Sequence, residues 1–232
     1  MPNIKWTICI ATTPRRAEKL SKLLKSLLPQ VEAAEGKVEI LIFFNNFEYS
    51  IGYLRQQLIE EAKGEYVTHV DDDDEVPSDY VATILPLLDG VDYVGFRVRF
   101  IDEGQLMKPV YHSLKYSHWY QDNDGYYRDV THLNPIKRSL ALEAGFPIES
   151  NIGEDEAWAS KVKPKTEHYI DREMYIYHHF GDESVAYKYT TDEIAAKVHH
   201  QNYKPKPDDT PKRPKIDSPY VRLHPRSTPD AN

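Results

Sequence analysis

Three short apolar runs, "KWTICIA" (5–11), "KVEILIFF" (37–44) and "EYVTHV" (65–70), are separated by two longer segments of helical periodicity. Parallel strands cannot be joined by a tight turn and need a crossover, usually a helix, so this rhythm restricts the chain to few folds. In the first crossover, "AEKLSKLLKSLLPQV" sets Leu20, Leu23, Leu24, Leu27 and Leu28 on one helical face with lysines opposite. In the second, "IGYLRQQLIEEAKG" reads as a helix that ends at Gly64. "SDYVATILPLLDG" reads as a third helix with Ser78 as N-cap, and "VDYVGFRVRFID" as a fourth strand. The expected class is α/β, with a mostly parallel sheet flanked by helices. Ligands of such sheets bind at the carboxyl ends of the strands, where "ATTPRR", "NN" and "DDDDE" all fall. Four adjacent aspartates, Asp71 to Asp74, followed by Glu75, would repel one another at a buried strand end unless a cation lay between them.

The second half differs in character. "YHSLKYSHWYQDNDGYYRDVTHL" is rich in Tyr, His and Trp, with a hairpin turn expected at Asp124-Gly125. "NPIKRSLALEAGFP" and "GEDEAWASKV" read as helices, and "REMYIYHHF" as a strand with Met174, Ile176 and His178 on one face. Residues 203–232 are laden with proline and poor in core residues, so an extended or disordered tail is expected there. The remaining 1–202 suit one domain, with a first half at 1–100 and a second at 101–202. The net charge of −8 argues against general affinity for nucleic-acid phosphates. The single cysteine, Cys9, can form no internal disulfide and reads as a buried, inert thiol. No signal-peptide layout and no apolar stretch of about 20 residues is present, so a soluble, cytoplasmic protein without a transmembrane segment is expected.

Four segments together carry a family resemblance: "TICIATTPRRAEKLSKLLKSLLPQ", "GYLRQQLIEEAKGEYVTHVDDDD", "HLNPIKRSLALEAGFP" and "GEDEAW". In this order they resemble family 2 glycosyltransferases of the GT-A (Rossmann-like) fold, which move a sugar from a nucleotide-sugar to an acceptor with inversion. The resemblance implies a DxD-type metal motif in the aspartate run and a catalytic base in "GEDEAW". It departs from the family at Asn45-Asn46, where an aspartate typically accepts the imide N–H of uracil. An asparagine both donates and accepts, so a UDP-sugar is the expected donor while other nucleotides stay open.

The chemistry follows from the leaving group. A nucleoside diphosphate needs its charge neutralised as the sugar–phosphate bond breaks, and a hard divalent ion, Mn2+ or Mg2+, held by carboxylates does this. Continuing the strand alternation would put Asp71 and Asp73 on one side, with Asp72 and Asp74 on the other. On the resemblance, Asp73 is the direct metal ligand, Asp71 lies near the ribose or a metal-bound water, and Asp72 belongs to the donor site. His178 is a candidate third metal ligand. Asp155 is the expected base and Glu154 the alternative, although acids at a helix start are also favoured by the helix dipole alone. Thr12, Thr13, Arg15, Asn45 and Arg55 are the donor-contact candidates. Trp119, Tyr120 and Trp158 are the acceptor-contact candidates, because aromatic faces stack on sugars and bases. The acceptor class stays open among a glycan, a protein and a modified nucleobase, and the tail could serve as a homodimer arm. Nucleotidyl transfer, or a non-catalytic carbohydrate- or metal-binding module, remain as other readings.

Overall fold

The first strand, β1 (Trp6–Thr12), lies between β2 (Val38–Phe44) and β3 (Tyr66–His69), parallel to both. A computed structural model describes residues 3–46, 48–180 and 219–224 of the chain. The crossovers are α1 (Ala17–Ala33) and α2 (Ile51–Glu61), and α3 (Tyr80–Ile84) leads to β4 (Tyr93–Asp102). Next come β5 (Gln105–Leu106), β6 (Val110–His112), β7 (Tyr120–Gln121), β8 (Tyr126–Arg128) and β9 (Ile136–Lys137). They are followed by α4 (Arg138–Ala144), α5 (Glu154–Ala159), β10 (Glu167–His179) and β11 (Tyr220–Leu223). The sheet order is β11-β2-β1-β3-β9-β4-β6-β8-β7, with β10 and β5 also paired to β4. The expected parallel half is present, and β7 and β8 form the hairpin about Asp122–Gly125.

Alternation along the strands divides the core between the two faces of the sheet. Trp6, Ile8 and Ile10 of β1 pack with Leu20, Leu23, Leu27 and Val31 of α1 and with Tyr80 and Ile84 of α3. Cys9, Leu41 and Phe43 pack with Leu54 and Leu58 of α2, Ala141 of α4 and Trp158 of α5. Cys9 is buried, and burial pushes its thiol far above the ordinary range. Among the described residues no helix is long and apolar enough to cross a membrane.

Two helix-end expectations are corrected. α2 stops at Glu61, and Gly64 serves a close approach instead: a Cβ there would stand 2.5 Å from the backbone nitrogen of Thr7. α3 starts later than Ser78, with Asp79 at its N-cap position and no side-chain cap. In the tail, residues 220–223 form β11, antiparallel to β2 of the same chain. Its Arg222 reaches Glu39, a fully buried carboxylate on β2, at 2.6 Å. Glu39 also accepts the Thr7 hydroxyl (2.7 Å) and the Lys63 N–H (2.9 Å). The rest of the tail, including the expected dimer arm, lies outside the described residues.

Candidate active site

β3 ends at His69, and the four aspartates form a turn rather than a strand extension, closed by the Asp74 N–H donating to the Asp71 carbonyl (3.1 Å). This overturns the expected alternation, because a two-residue period holds only while the backbone is extended. Each aspartate instead meets a different set of partners. Asp71 faces Arg55 Nη2 at 3.3 Å. Asp72, fully buried, accepts the Thr12 hydroxyl (2.6 Å) and pairs with Arg16 (3.0 Å). Asp73 pairs with Arg16, with Lys19 at 3.7 Å. Asp74 accepts the Tyr175 hydroxyl (2.7 Å) and the His178 backbone N–H (2.8 Å). Tyr175 also accepts the Asp71 N–H, so one hydroxyl clamps both ends of the turn.

Charge crowding here is severe. Burial pushes the Asp72 carboxyl up to about 6 although Arg16 and Thr12 oppose it. Asp73 is also raised by burial, and Asp74 well raised by burial and by the Asp71 charge. Arg16 thus balances two carboxylates at once. The reading of the sequence chose its neighbour Arg15, which the short turn Pro14–Arg16 leaves exposed. Nothing in a single sequence separates adjacent arginines in such a turn, so Arg16 was missed.

Across the cleft, the short helix α5 presents Glu154, Asp155 and Glu156 after Gly153, whose backbone is left-handed (φ 71°). Glu154 is buried with its carboxylate 3.1 Å from Arg55 Nε, and burial raises its pKa. Arg55 therefore joins the two acidic clusters, touching Asp71 on one side and Glu154 on the other. Burial alone would depress its guanidinium, but Asp71, Glu154 and Asp155 more than offset that and hold it charged. In this state two of the Arg55 nitrogens, expected to contact the donor, face protein carboxylates. Asp155 remains one-third exposed, and its Oδ1 accepts the Glu156 N–H at 2.9 Å.

The other candidates fall into two groups. Thr13 and Arg15 follow the end of β1, half-buried and exposed respectively. Thr12 instead is buried on Asp72. Asn45 is also buried, its amide committed to its own loop: Oδ1 accepts the Glu48 and Tyr49 N–H groups, and Nδ2 donates to the Tyr49 carbonyl. It is not free to read a base in this state. Trp158 is corrected from acceptor contact to core residue, 1% exposed, stacked on Phe146 at 4.9 Å and donating to the Ala141 carbonyl. Trp119 is half-buried, with the Arg128 guanidinium 4.8 Å from its ring centroid. Tyr120 is exposed and stacked on Tyr127 at 4.6 Å. Arg128 donates to the Tyr120 and Tyr127 carbonyls, so it ties this aromatic group together.

Asp73, Asp74, His178, Glu75 and Lys19 border one cavity of about 190 Å³. His178 Nε2 is 3.1 Å from Glu75 Oε1. Among those residues, no three His, Cys, Asp or Glu side chains converge as a metal cage. A divalent ion shared with a diphosphate needs only one or two protein carboxylates, the rest coming from phosphate and water. The donor set here, carboxylates and an imidazole beside one cavity, fits an ion bound in that way.

Further along the same face, His112 packs against Asn134 (2.7 Å) and Thr131 (3.1 Å). Burial lowers its pKa to about 4. An unfolded histidine takes up its proton near 6.5, so the contribution of His112 to stability is complete above that pH and is lost as pH falls toward 4. An NMR titration of the intact protein should find its ring neutral down to about pH 4. A midpoint near 6.5 would contradict the buried site.

The fold and one partial family match point to the same class of protein. A domain of glycosyl transferase family 2 is matched over residues 31–142, and the sheet with its flanking helices is that of GT-A glycosyltransferases. The particular likenesses are to TarS of S. aureus. The structure of its residues 1–349 in complex with UDP-GlcNAc superposes with a TM-score of 0.57 at 15% identity, covering 88% of this chain and 68% of that one. The UDP complex gives a TM-score of 0.55 at 15% identity, with 75% and 60% covered. Against another TarS crystal structure the chain covers 41% of that chain, at a TM-score of 0.54. No curated protein matches the chain in sequence. The resemblance read from the motifs thus agrees with the family match over residues 31–142, and the fold is shared.

Proposed function

We propose that the chain is a metal-dependent, inverting glycosyltransferase that moves a sugar from a nucleoside-diphosphate sugar, a UDP-sugar first, to an acceptor hydroxyl. The observation that carries this reading is Arg55, which joins an acidic turn at the end of β3 to the acid-bearing start of α5. One carboxylate cluster is thus set toward a diphosphate and the other toward an acceptor. TarS is described in complex with UDP and UDP-GlcNAc, which supports the choice of donor.

Asp73, Asp71 and His178 would hold the divalent ion, which supplies Lewis-acid neutralisation of the diphosphate. For Asp73 to take part, Arg16 must give up its ion pair, and the diphosphate is the natural new partner for that guanidinium. Asp155 takes the acceptor proton: it is exposed enough to meet a hydroxyl, whereas Glu154 is buried against Arg55. Trp119 and Tyr120 offer faces for the acceptor.

The test is a thermal-shift and calorimetric screen against UDP-, GDP- and TDP-sugars with Mn2+. A UDP-sugar should raise the melting temperature only with the metal present, and Asp73→Ala should abolish both that shift and donor turnover. Full activity in Asp73→Ala would sink the metal role. A shift without donor turnover, hydrolysis included, would favour a binding module, and release of pyrophosphate would favour nucleotidyl transfer.

A further inference from the structure

His132 stands in the loop between β8 and β9, on the segment that precedes α4. Both of its ring nitrogens are buried without a hydrogen-bond partner among the described residues. Buried polar groups are nearly always satisfied, so a buried imidazole with two open nitrogens needs an explanation. Its Nδ1 is 4.0 Å from Asp155 Oδ2. Among the described residues that oxygen takes no hydrogen bond, while Oδ1 is held only by the Glu156 N–H of its own helix.

The two sides of this contact differ in how they are held. The His132 carbonyl accepts the His69 N–H at 2.9 Å, which fastens the loop to the end of β3. One residue before, the Thr131 hydroxyl donates to Asn134 Oδ1 (2.7 Å), and Asn134 Nδ2 donates to the Val94 carbonyl (2.9 Å) on β4. The imidazole therefore rides on the sheet. Asp155 rides on a helix of six residues whose N-cap residue, Gly153, has no side chain to cap it. Burial, with Arg55 and His69 beside it, keeps the ring neutral, so it carries one N–H and one lone pair.

We propose that His132 is the positioning residue of the base, its Nδ1–H closing onto Asp155 Oδ2 when substrates bind and fixing the carboxylate on the acceptor side. The proposal rests on Asp155 being the base. Closure from 4.0 Å to a hydrogen bond needs a shift of roughly 1 Å, and hydrogen bonds in catalytic sites commonly tighten in this way on substrate binding. The charged groups facing Asp155 are Arg55 from α2, Arg128 from β8, and Glu154 and Glu156 from α5 itself. None of these is a neutral donor. Tyr177 of β10 is a neutral hydroxyl within electrostatic reach of Asp155. Among the described residues, however, the neutral side-chain donor that approaches its carboxylate, at 4.0 Å, is His132, which can orient it without adding charge.

The test has two arms. In the first, turnover of UDP-GlcNAc with Mn2+, hydrolysis included, is measured for wild type, Asp155→Asn, His132→Phe and His132→Asn. His132→Phe should lower kcat on the order of 10²-fold, the cost of a misplaced catalytic group, with KM for the donor and the donor-induced thermal shift unchanged. His132→Asn, which keeps an N–H donor, should recover part of the loss. The second arm needs no turnover: long-range 1H–15N spectra of histidine-labelled protein, recorded with UDP-GlcNAc and Mg2+ bound, report which ring nitrogen of His132 is protonated. The Nδ1–H form is expected in the wild type, with that preference lost in Asp155→Ala. An inactive Asp155→Asn beside wild-type kcat in His132→Phe would overturn the positioning role, as would an Nε2–H ring indifferent to Asp155→Ala. Undiminished turnover in Asp155→Asn would instead remove the base, and the positioning role with it.

Discussion

Asp155→Asn should reduce sugar transfer by on the order of 10²–10⁴-fold, the usual contribution of a general base, while leaving metal-dependent binding of the UDP-sugar intact. The amide keeps the shape of the carboxylate and can accept the same hydrogen bond from the Glu156 N–H, but it cannot take a proton. Glu154, the alternative base, cannot replace it. Glu154 is buried with Arg55 3.1 Å away, and pulling it into the cleft would leave that guanidinium without one of its two carboxylates. Glu154→Gln should therefore act mainly on stability. Undiminished transfer in purified Asp155→Asn would refute the base assignment.

Arg222→Ala should cost about 3–5 kcal/mol, because removing one partner strands the other as a buried, uncompensated charge. For a domain of this size that corresponds to a fall of roughly 10 °C in melting temperature. Glu39 is fully buried in β2, and Arg222 comes from β11, far along the chain in the proline-rich tail. Adding Glu39→Gln to Arg222→Ala removes the stranded charge, keeps an acceptor for the Thr7 hydroxyl and the Lys63 N–H, and should restore much of the loss. A melting temperature unchanged in Arg222→Ala would show that β11 contributes little to the sheet.

The parallel half of the fold could be read directly because its signals are local and repeated. Five leucines at helical spacing and alternating residues in "KWTICIA" need no distant partner to be interpreted, and in the fold Ile8 and Ile10 join one core cluster while Cys9 joins the other. The second half could not be read so well. β5 to β9 are two or three residues long, too short for a period to show, and β10 carries irregular register against β4. Even local punctuation misled where a residue has a tertiary duty: Gly64 resembles a helix stop but makes room for the backbone of β1.

For the candidate site, the sequence by itself determined the inventory: an acidic run at a strand end, a second acidic group before a tryptophan, and arginines after the first strand. Those follow from composition and spacing along the chain. Only the tertiary structure decided which partners each acid meets. The turn at Asp71 to Asp74 splits four identical side chains among Arg55, Arg16, Thr12 and Tyr175, and these come from α2, the β1–α1 turn, β1 and β10. The physical reason is that a carboxylate's role is set by burial and by charges within a few ångströms, and those neighbours lie up to 104 residues apart in the chain. The same holds for Trp158, whose place in the core depends on Phe146 and Ala141 packing around it.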